Sequence, residues 1–561
     1  MVYQLIRKFR WPLVFATMLS ILSAAFSIGV MVFLNQQISK VGLGSENYNI
    51  DVLVFAFALM GLGVFGVLSQ YILSRLSAGF TAQLRRFMVE NVLNTNYEGI
   101  ERVGGHRIYA SLTSDIRSLA SAFSLLPHVA YNSAAVILCL AYLAYSSWQL
   151  FVFVFIFLTL AIGFAQVLMN RGMKLLKGLR ETDDNLFNSF KALVEGGKEL
   201  NINTNRKQHF YKDLVVPHVE EIKRKSVHTE LNFIFIHNWT NVVLFGVMGS
   251  IVFLAQAVFT TVPVEVVVGF LLIMIYLVGP ISSLMDMYSV VAGGVVASKK
   301  INSLELGTQT GRLADHGDSK SSELNDDWQS LSVRDLTYQY PSSENEMYQF
   351  GVGPINLDIN RGELVFVTGG NGSGKSTFIK ALIGLYTPNS GQIYFDGKCI
   401  DFDSDREWYG QHFSAIFSDF YLFQHAIGKD GQLASDELIH QYLTKLQLDK
   451  KVDAQDGELT SVSLSHGQKK RLALLLSYIE DTSIYIFDEW AADQDPYFRK
   501  YFYMTLLPEL KSKGKTVIAI THDDAYFHTA DRVLKFESGL LVEVTENDGK
   551  SFASSKVEAV L

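Results

Sequence analysis

Cysteine is nearly absent: Cys139 and Cys399 are the two among 561 residues. One falls in an apolar stretch and the other in the more polar second half. Together they offer neither a disulfide framework nor a CxxC metal pair, so both read as unpaired thiols. Charge is scarce too. Asp, Glu, Lys and Arg make up 19% of the chain, against roughly 25% in an average soluble protein. Hydrophobic residues reach 49% and the mean hydropathy is +0.18. Apolar content this high argues against disorder over most of the length. A basic excess is also missing. With 48 Lys and Arg against 56 Asp and Glu the net charge is −8, which speaks against a nucleic-acid partner. No repeat of solenoid period is evident. The N-terminus, Met1–Arg10, is basic and leads into an apolar run. That run lacks a small-residue cleavage site and outlasts the core of a signal peptide, so it reads as a retained membrane helix.

What is present in the first half is a series of charge-free stretches: Trp11–Ser39, Val52–Ser74, Ser118–Asn170, Leu231–Val264 and Val266–Met285. Ser118–Asn170 is long enough for two spans at roughly 20 residues each. Six spanning helices are expected, near 11–36, 52–75, 122–145, 148–170, 232–257 and 265–288. Arg7, Lys8 and Arg10 precede the first span, Arg75, Arg85, Arg86, Arg102, Arg107 and Arg117 lie between the second and third, and Lys299 and Lys300 follow the sixth. The connections near 37–51, 145–148 and 258–264 hold a single Lys or Arg between them, Lys40. The positive-inside rule then places both chain ends in the cytoplasm of a multi-pass membrane protein. The two inner connections are too long to be unstructured loops. They are expected to be helices running past the lipid.

From Trp328 the pattern changes to short β-rich runs alternating with helices, the mark of an α/β domain. The expected fold is therefore an all-α six-helix transmembrane domain followed by an α/β domain, which the G-x-x-x-x-G-K-[ST] run from Gly369 to Ser376 makes an α/β P-loop nucleotide-binding domain. The expected boundaries are a transmembrane domain at 1–303, an exposed Gly/Ser/Asp/Glu-rich linker at 304–327, the α/β domain at 328–545 and a flexible tail at 546–561.

The strongest local motif runs from Gly369 through Gly370, Asn371, Gly372, Ser373, Gly374 and Lys375 to Ser376, matching G-x-x-x-x-G-K-[ST]. Leu364–Thr368 reads as a strand before it, and the run from Thr377 to Leu385 as a helix after it. Glycines let backbone N–H groups close around phosphate oxygens, and the helix N-terminus adds partial positive charge. Lys375 is expected to reach the outer phosphates of ATP, and Ser376 to ligate Mg2+. Further on, an apolar run from Ile484 to Phe487 ends in Asp488 and Glu489. Acids at the carboxyl end of a buried parallel strand sit where such sheets bind ligands. Asp488 suits Mg2+, and Glu489 the polarisation of an attacking water.

Between these motifs lies Leu464-Ser465-His466-Gly467-Gln468, which resembles the signature of the ATP-binding-cassette proteins. The whole second half is similar to such a cassette. The resemblance implies that Tyr340 stacks on adenine, that His522 contacts the γ-phosphate and acts with Glu489 in catalysis, and that Asp495 belongs to a loop bridging two cassettes. It also implies that Ser465, Gly467 and Gln468 of one chain complete the site formed by Asn371 to Thr377 of another. Departures are His466 for the usual glycine, Trp490 where proline is common, and Ser418 where a metal-contacting glutamine is usual. The last leaves Ser418 as a weaker metal candidate. The set Lys375, Asp488, Glu489 and His522 implies an active ATPase.

Six helices and one cassette form the half-transporter layout of the exporter type, so the resemblance implies a homodimer. The run from Asp488 to Asp495, the run from Gly467 to Arg471 and Arg10-Trp11-Pro12 resemble the bacterial cyclic-peptide exporters, those of syringomycin-type lipopeptides, pyoverdine precursors and microcins. That implies ATP-driven export of a cyclic or modified peptide across the bacterial inner membrane, with any periplasmic or outer-membrane partner unidentified. A lipid or multidrug exporter is the alternative in the same class, and an ATP-gated channel or non-hydrolysing sensor the one outside it. Coupling helices are implied near Gly104–Thr113 and Leu193–Asn201. Polar groups inside spans are costly and tend to face a partner or a water-filled cavity. That makes His128, Tyr131 and Asn132, and His237, Asn238 and Asn241, the candidates for the substrate cavity.

Overall fold

The computed structural model describes residues 7, 9–41, 48–257, 262–304, 327–341, 350–460, 464–547 and 552–556. The expected linker thus lies almost wholly outside the described residues. The chain divides into two units, Met1–Met88 with Tyr109–Leu304, and Val89–Ile108 with Glu305–Leu561.

The first unit is helical. Among the described residues, six helices are long and apolar enough to cross a membrane. They lie in α1 (Arg10–Val41), α2 (Tyr48–Leu93), α5 (Ile116–Ser146), α6 (Trp148–Glu195), α9 (Val216–Ala257) and α10 (Val264–Ser303). Each contains the corresponding expected span. At 1.5 Å per residue the 46 residues of α2 and the 48 of α6 would reach about 70 Å. That is more than twice the roughly 30 Å of hydrocarbon. The inner connections are therefore mostly these helices continuing, as their length requires. The turns between them are short: α3 (Tyr97–Val103), α4 (Gly105–Ala110), α7 (Gly197–Ile202) and α8 (Thr204–His209).

The first unit is held together partly by hydroxyls. Ser20 Oγ and Ser69 Oγ lie 2.6 Å apart, and Ser69 donates to the carbonyl of Ala16 at 3.0 Å. Ser27 donates to the Tyr276 hydroxyl at 2.8 Å, which lies 3.4 Å from that of Tyr131. Such bonds are available to helices that cannot use burial from water to select neighbours.

The second unit is built on a seven-stranded sheet. Its strands are β3 (Leu364–Gly369), β6 (Phe413–Ile416), β9 (Ile484–Asp488), β10 (Thr516–Ile520), β11 (Arg532–Glu537), β12 (Leu540–Asn547) and β13 (Phe552–Lys556), in the order β13-β12-β11-β3-β10-β9-β6. The β11-β3-β10-β9-β6 part is parallel. The central strands β3, β10 and β9 are largely continuous apolar runs, as expected where both faces are covered. Successive residues feed opposite cores. Leu364, Phe366, Tyr485, Phe487, Val517 and Ala519 pack on one side. Val365, Val367, Ile484, Ile486, Ile518 and Ile520 pack on the other. A second sheet runs β2-β1-β4-β5, from β1 (Ser330–Gln339), β2 (Gly351–Asn360), β4 (Ser390–Phe395) and β5 (Lys398–Cys399).

The expected tail from 546 differs from what is seen. β12 continues to Asn547, and β13 pairs antiparallel with it from Glu543↔Lys556 to Asn547↔Phe552. The free edge of β12 offers a row of backbone donors and acceptors that a following strand satisfies.

Candidate functional site

Three strand ends meet at one level. Ile520 pairs with Asp488 on one side and with Val367 on the other. The phosphate-loop residues after β3, the acids closing β9 and the segment after β10 therefore share the carboxyl edge of the sheet, where open α/β sheets bind ligands.

The loop from Gly369 to Gly374 leads into α11 (Lys375–Leu382). Its turn needs glycine at two points in particular. Gly369 has φ +144°, and a Cβ there would lie 2.2 Å from the Phe536 carbonyl oxygen. Gly374 has φ +98°, and a Cβ would meet Val352 at 2.8 Å. Gly372 also has φ +76° but faces open space. Asn371 and Gly372 are exposed, while Ser373, Lys375 and Thr377 are buried. Lys375 Nζ donates to the carbonyls of Gly369 and Gly370, both at 2.9 Å. Burial lowers the ammonium pKa, and Glu489 and Asp488 oppose that shift. The Ser373 hydroxyl is buried with no hydrogen-bond partner. An orphaned donor beside a lysine and a helix N-terminus fits a phosphate oxygen.

Ser376 donates to Asp488 Oδ2 at 3.0 Å. Burial pushes the Asp488 carboxyl above its ordinary range; the Ser376 hydrogen bond opposes this and the charge of Glu489 adds to it. Among the described residues no group of three or more His, Cys, Asp or Glu side chains forms a metal cage. A hydroxyl and a carboxylate fit Mg2+, which characteristically takes one or two protein ligands and completes its shell with phosphates and water. Ser418 is exposed two residues beyond β6. The hydrogen bond at the cation pair joins Ser376 to Asp488 and does not involve Ser418.

Glu489 adopts the left-handed conformation, φ 50° and ψ 35°. Its N–H donates to the Ile520 carbonyl at 3.1 Å. Its Oε1 lies 3.4 Å from His522 Nε2. The structure thus brings Lys375, Ser376, Asp488, Glu489 and His522 together. Tyr340 sits at the side of the loop, its hydroxyl 3.2 Å from Thr377 Oγ1.

Ser465, Gly467 and Gln468 start α14 (His466–Glu480). Ser465 and Gln468 cap each other: the Gln468 N–H donates to Ser465 Oγ at 3.4 Å, and the Ser465 N–H to Gln468 Oε1 at 3.2 Å. Gly467 is required because a Cβ would lie 2.7 Å from the Asp493 carbonyl oxygen. His466 Nδ1 lies 3.2 Å from Asp493 Oδ2. Lys470 lies in the run from Gly467 to Arg471, but no pattern there singles it out from its basic neighbours. Its buried Nζ donates to the Glu489 carbonyl and to Asp493 Oδ2, both at 2.7 Å. Trp490 donates from Nε1 to the Lys470 carbonyl at 2.9 Å and stacks on Phe502 with centroids 4.4 Å apart. The ring fills apolar space that a proline would leave empty.

In the second unit, the segment packed on the α/β domain is α3, just upstream of the expected Gly104–Thr113. Asn96 caps it by accepting from Gly99 N–H at 2.9 Å, and Gly104 at φ 85° ends it. Those two residues set its position. The Tyr386 hydroxyl donates to Glu101 at 2.7 Å, and Thr387 N–H to Glu98 at 3.4 Å. Two acids three apart on one helix face were the available signal.

In the first unit, His128, Tyr131 and Asn132 line a cavity of about 470 Å³ with Ser20, Ser69 and Gln70. A neighbouring cavity of about 640 Å³ shares Gln70, Leu73 and His128 and includes Arg85. The serines of α1 and α2 were missed because isolated serines in an apolar run carry no pattern. Neither Asn238 nor Asn241 is among the residues lining these two cavities. Asn238 is exposed and donates to the Ile234 carbonyl at 3.0 Å on its own helix. The His237 side chain lies outside the described residues.

A helical unit with six membrane-length helices, joined to an α/β unit with a phosphate loop and an acid pair at one sheet edge, defines an ATP-driven membrane transporter. The chain belongs to the ABC transporters and is an ATP-hydrolysing exporter: the family's transmembrane region matches residues 13–281 and its ABC transporter domain residues 352–492. It is similar to the ATP-binding protein SyrD of Pseudomonas syringae pv. syringae, 32% identical over 95% of this chain and 94% of that one. The nisin transport ATP-binding protein NisT of Lactococcus lactis is 32% identical over 39% of this chain and 38% of its own. The ATP-dependent lipid A-core flippase of Vibrio cholerae is 24% identical over 96% and 93%. In fold, the chain matches a bacterial Atm1-family ABC exporter with ATP bound, at TM-score 0.73 and 16% identity over 96% of both chains.

Proposed function

We infer that this chain exports a peptide, cyclic or otherwise modified, as a homodimer in the bacterial cytoplasmic membrane, with both termini in the cytoplasm. In this reading the backbone from Asn371 to Thr377, with Ser373 Oγ and Lys375, holds the phosphates of ATP. Ser376 and Asp488 hold Mg2+, Glu489 polarises the attacking water, and His522 steadies the γ-phosphate. One chain carries one phosphate loop and one signature, so Ser465, Gly467 and Gln468 of a second copy would complete each site. ATP then binds the closed pair better than the open one, the differential affinity a ligand needs to shift an equilibrium.

The observation that carries the peptide assignment is the lining of the 470 Å³ cavity. Serine hydroxyls, Gln70, His128, Tyr131 and Asn132 line it, and among the described residues no Asp, Glu, Lys or Arg does. Hydroxyls and amides both donate and accept, which suits the alternating groups of a peptide backbone. Nisin transport in the name of one relative agrees with this. Arg85, in the adjoining cavity, favours a second reading in which a lipid headgroup phosphate is recognised. The lipid A-core flippase relatives agree with that one. Transport into inverted vesicles containing the purified protein separates the two. ATP-dependent uptake of a labelled cyclic peptide, lowered at least fivefold by Asn132→Ala or His128→Ala, is the expected result. Uptake of labelled lipid alone, with both variants unaffected and Arg85→Ala inactive, overturns the peptide reading. Glu489→Gln tests the catalytic assignment in the same preparation: ATP binding should persist while hydrolysis falls at least 100-fold.

A further inference from the structure

Tyr386, four residues beyond α11, stands between the nucleotide site and α3. Its side chain is fully buried and stacks on Tyr338, with centroids 4.6 Å apart and planes at 13°. Tyr340 meets its ring edge-on at 5.7 Å. Its hydroxyl meets three polar groups, and with Thr377 beyond Tyr340 they form a chain whose direction follows from counting protons. The Glu101 carboxylate can only accept, so Tyr386 spends its single proton there, at 2.7 Å. The Tyr386 oxygen is left to accept, from Lys380 Nζ at 3.3 Å and from the Tyr340 hydroxyl at 3.4 Å. Tyr340, its proton spent, must accept from Thr377 Oγ1 at 3.2 Å. The chain therefore runs one way, from Thr377 through Tyr340 and Tyr386 to Glu101. Burial above all, and then Tyr340 and Glu101, push the Tyr386 hydroxyl upward, so it stays a donor throughout the physiological range. Lys380 reinforces the junction, its Nζ lying 5.2 Å from the Tyr97 ring and 5.3 Å from that of Tyr386.

We propose that Tyr386 is a positioning residue through which the state of the nucleotide site sets the stability of α3. Thr377 directly follows Ser376, and Tyr340 is the ring assigned to the base, so a nucleotide constrains the first two members of the chain. Their order is passed to α3 because Tyr386 has no other proton with which to hold Glu101. The proposal rests on the placement of Tyr340 against the nucleotide, and the test separates the two.

The test is amide hydrogen exchange of residues 97–103 in the full-length protein in nanodiscs, with and without Mg2+ and AMP-PNP. In the parent protein the nucleotide should slow exchange about tenfold. Tyr386→Phe keeps the ring stack and removes the hydroxyl. It should bind AMP-PNP within threefold of the parent yet slow α3 exchange less than twofold. Glu101→Ala, on an exposed position of α3, should abolish the same response without disturbing the buried rings, and the double variant should match either single one. A parent-like response in Tyr386→Phe or Glu101→Ala, or additive losses in the double variant, overturns the proposal. Tyr340→Ala judges the base-stacking assignment alone: undiminished AMP-PNP binding would refute that assignment and leave Tyr386 to be decided by its own variants.

Discussion

Replacing Lys470 by Met should slow ATP hydrolysis far more than it weakens ATP binding. Glu489, whose carboxylate is proposed above to polarise the attacking water, is held in a left-handed conformation at φ 50°, which costs a non-glycine residue about 1–3 kcal/mol. Two backbone bonds hold it there: its N–H to Ile520, and its carbonyl to the Lys470 ammonium at 2.7 Å. A hydrogen bond to a charged group contributes about 1.5–3 kcal/mol, enough to offset the strain. Without it the peptide is free to relax, and the carboxylate leaves its place 3.4 Å from His522. A shift near 1 Å costs on the order of 100-fold in rate. Thus kcat should fall about 10- to 100-fold, while KM for ATP stays within about twofold because the phosphate loop makes no bond to Lys470. Methionine keeps the buried stem, and the Asp493 side chain is 46% exposed, so its charge can turn to water. The stability loss should therefore lie near 1–2 kcal/mol rather than the roughly 3–5 kcal/mol of a fully buried broken pair. For a domain of this size that is roughly 2–8 °C in the melting of the α/β unit. Steady-state ATPase in nanodiscs, nucleotide titration and calorimetry measure the three quantities. An unchanged kcat, or a loss confined to KM, would refute the strain argument.

Gly467→Ala should abolish steady-state hydrolysis yet retain nucleotide binding, since the added Cβ 2.7 Å from the Asp493 carbonyl displaces the start of α14 and not the phosphate loop; parent-like turnover would show that the helix start can shift without consequence. Lys470 holds the Asp493 carboxyl below its ordinary range, with His466 assisting. The sign follows: this stabilisation is present above the carboxylate pKa of the unfolded chain, near 3.9, and is lost as pH falls through the lowered folded value. The melting temperature of the parent should accordingly drop more steeply than that of Lys470→Met between about pH 4 and pH 2, and parallel curves would count against the pair. Ser69→Ala removes bonds to Ser20 and to the Ala16 carbonyl and should loosen α1 against α2, seen as faster amide exchange near Ala16 with basal ATPase intact; no change in exchange would mean the hydroxyl pair is idle.

Much of this was legible in the sequence, for a physical reason. The phosphate loop is dictated locally: backbone must approach an anion, only glycine permits it at Gly369 and Gly374, and the flanking strand and helix follow from short apolar runs. Asp488 and Glu489 were legible because a strand buried on both faces has no solvent-facing alternation, so acids at its end stand out. The six spans were equally plain, because lipid tolerates almost no charge over about 20 residues. What escaped were side chains whose meaning depends on a distant partner. Lys470 looks like any lysine on an amphipathic helix until the carbonyl of Glu489 is placed above it. Ser20 and Ser69 are unremarkable in apolar runs until α1 and α2 pair.

The polar residues of the spans show where periodicity stops being informative. His128, Tyr131 and Asn132 along α5, and His237, Asn238 and Asn241 along α9, each contain separations of three and four residues, yet Asn132 and Asn238 meet different surroundings. Pro127, just before His128, lines the cavity with the first group. Asn132 bonds back to the His128 carbonyl at 2.9 Å and still faces the cavity. Asn238 spends its amide on its own helix at an exposed position. Helical spacing fixes which residues share a stripe, but the neighbouring helix decides whether that stripe meets a cavity or another surface. The polar lining of this cavity is therefore set by the pairing of α1, α2 and α5, and under the proposed function a substitution there that preserves every local pattern should still change what is carried.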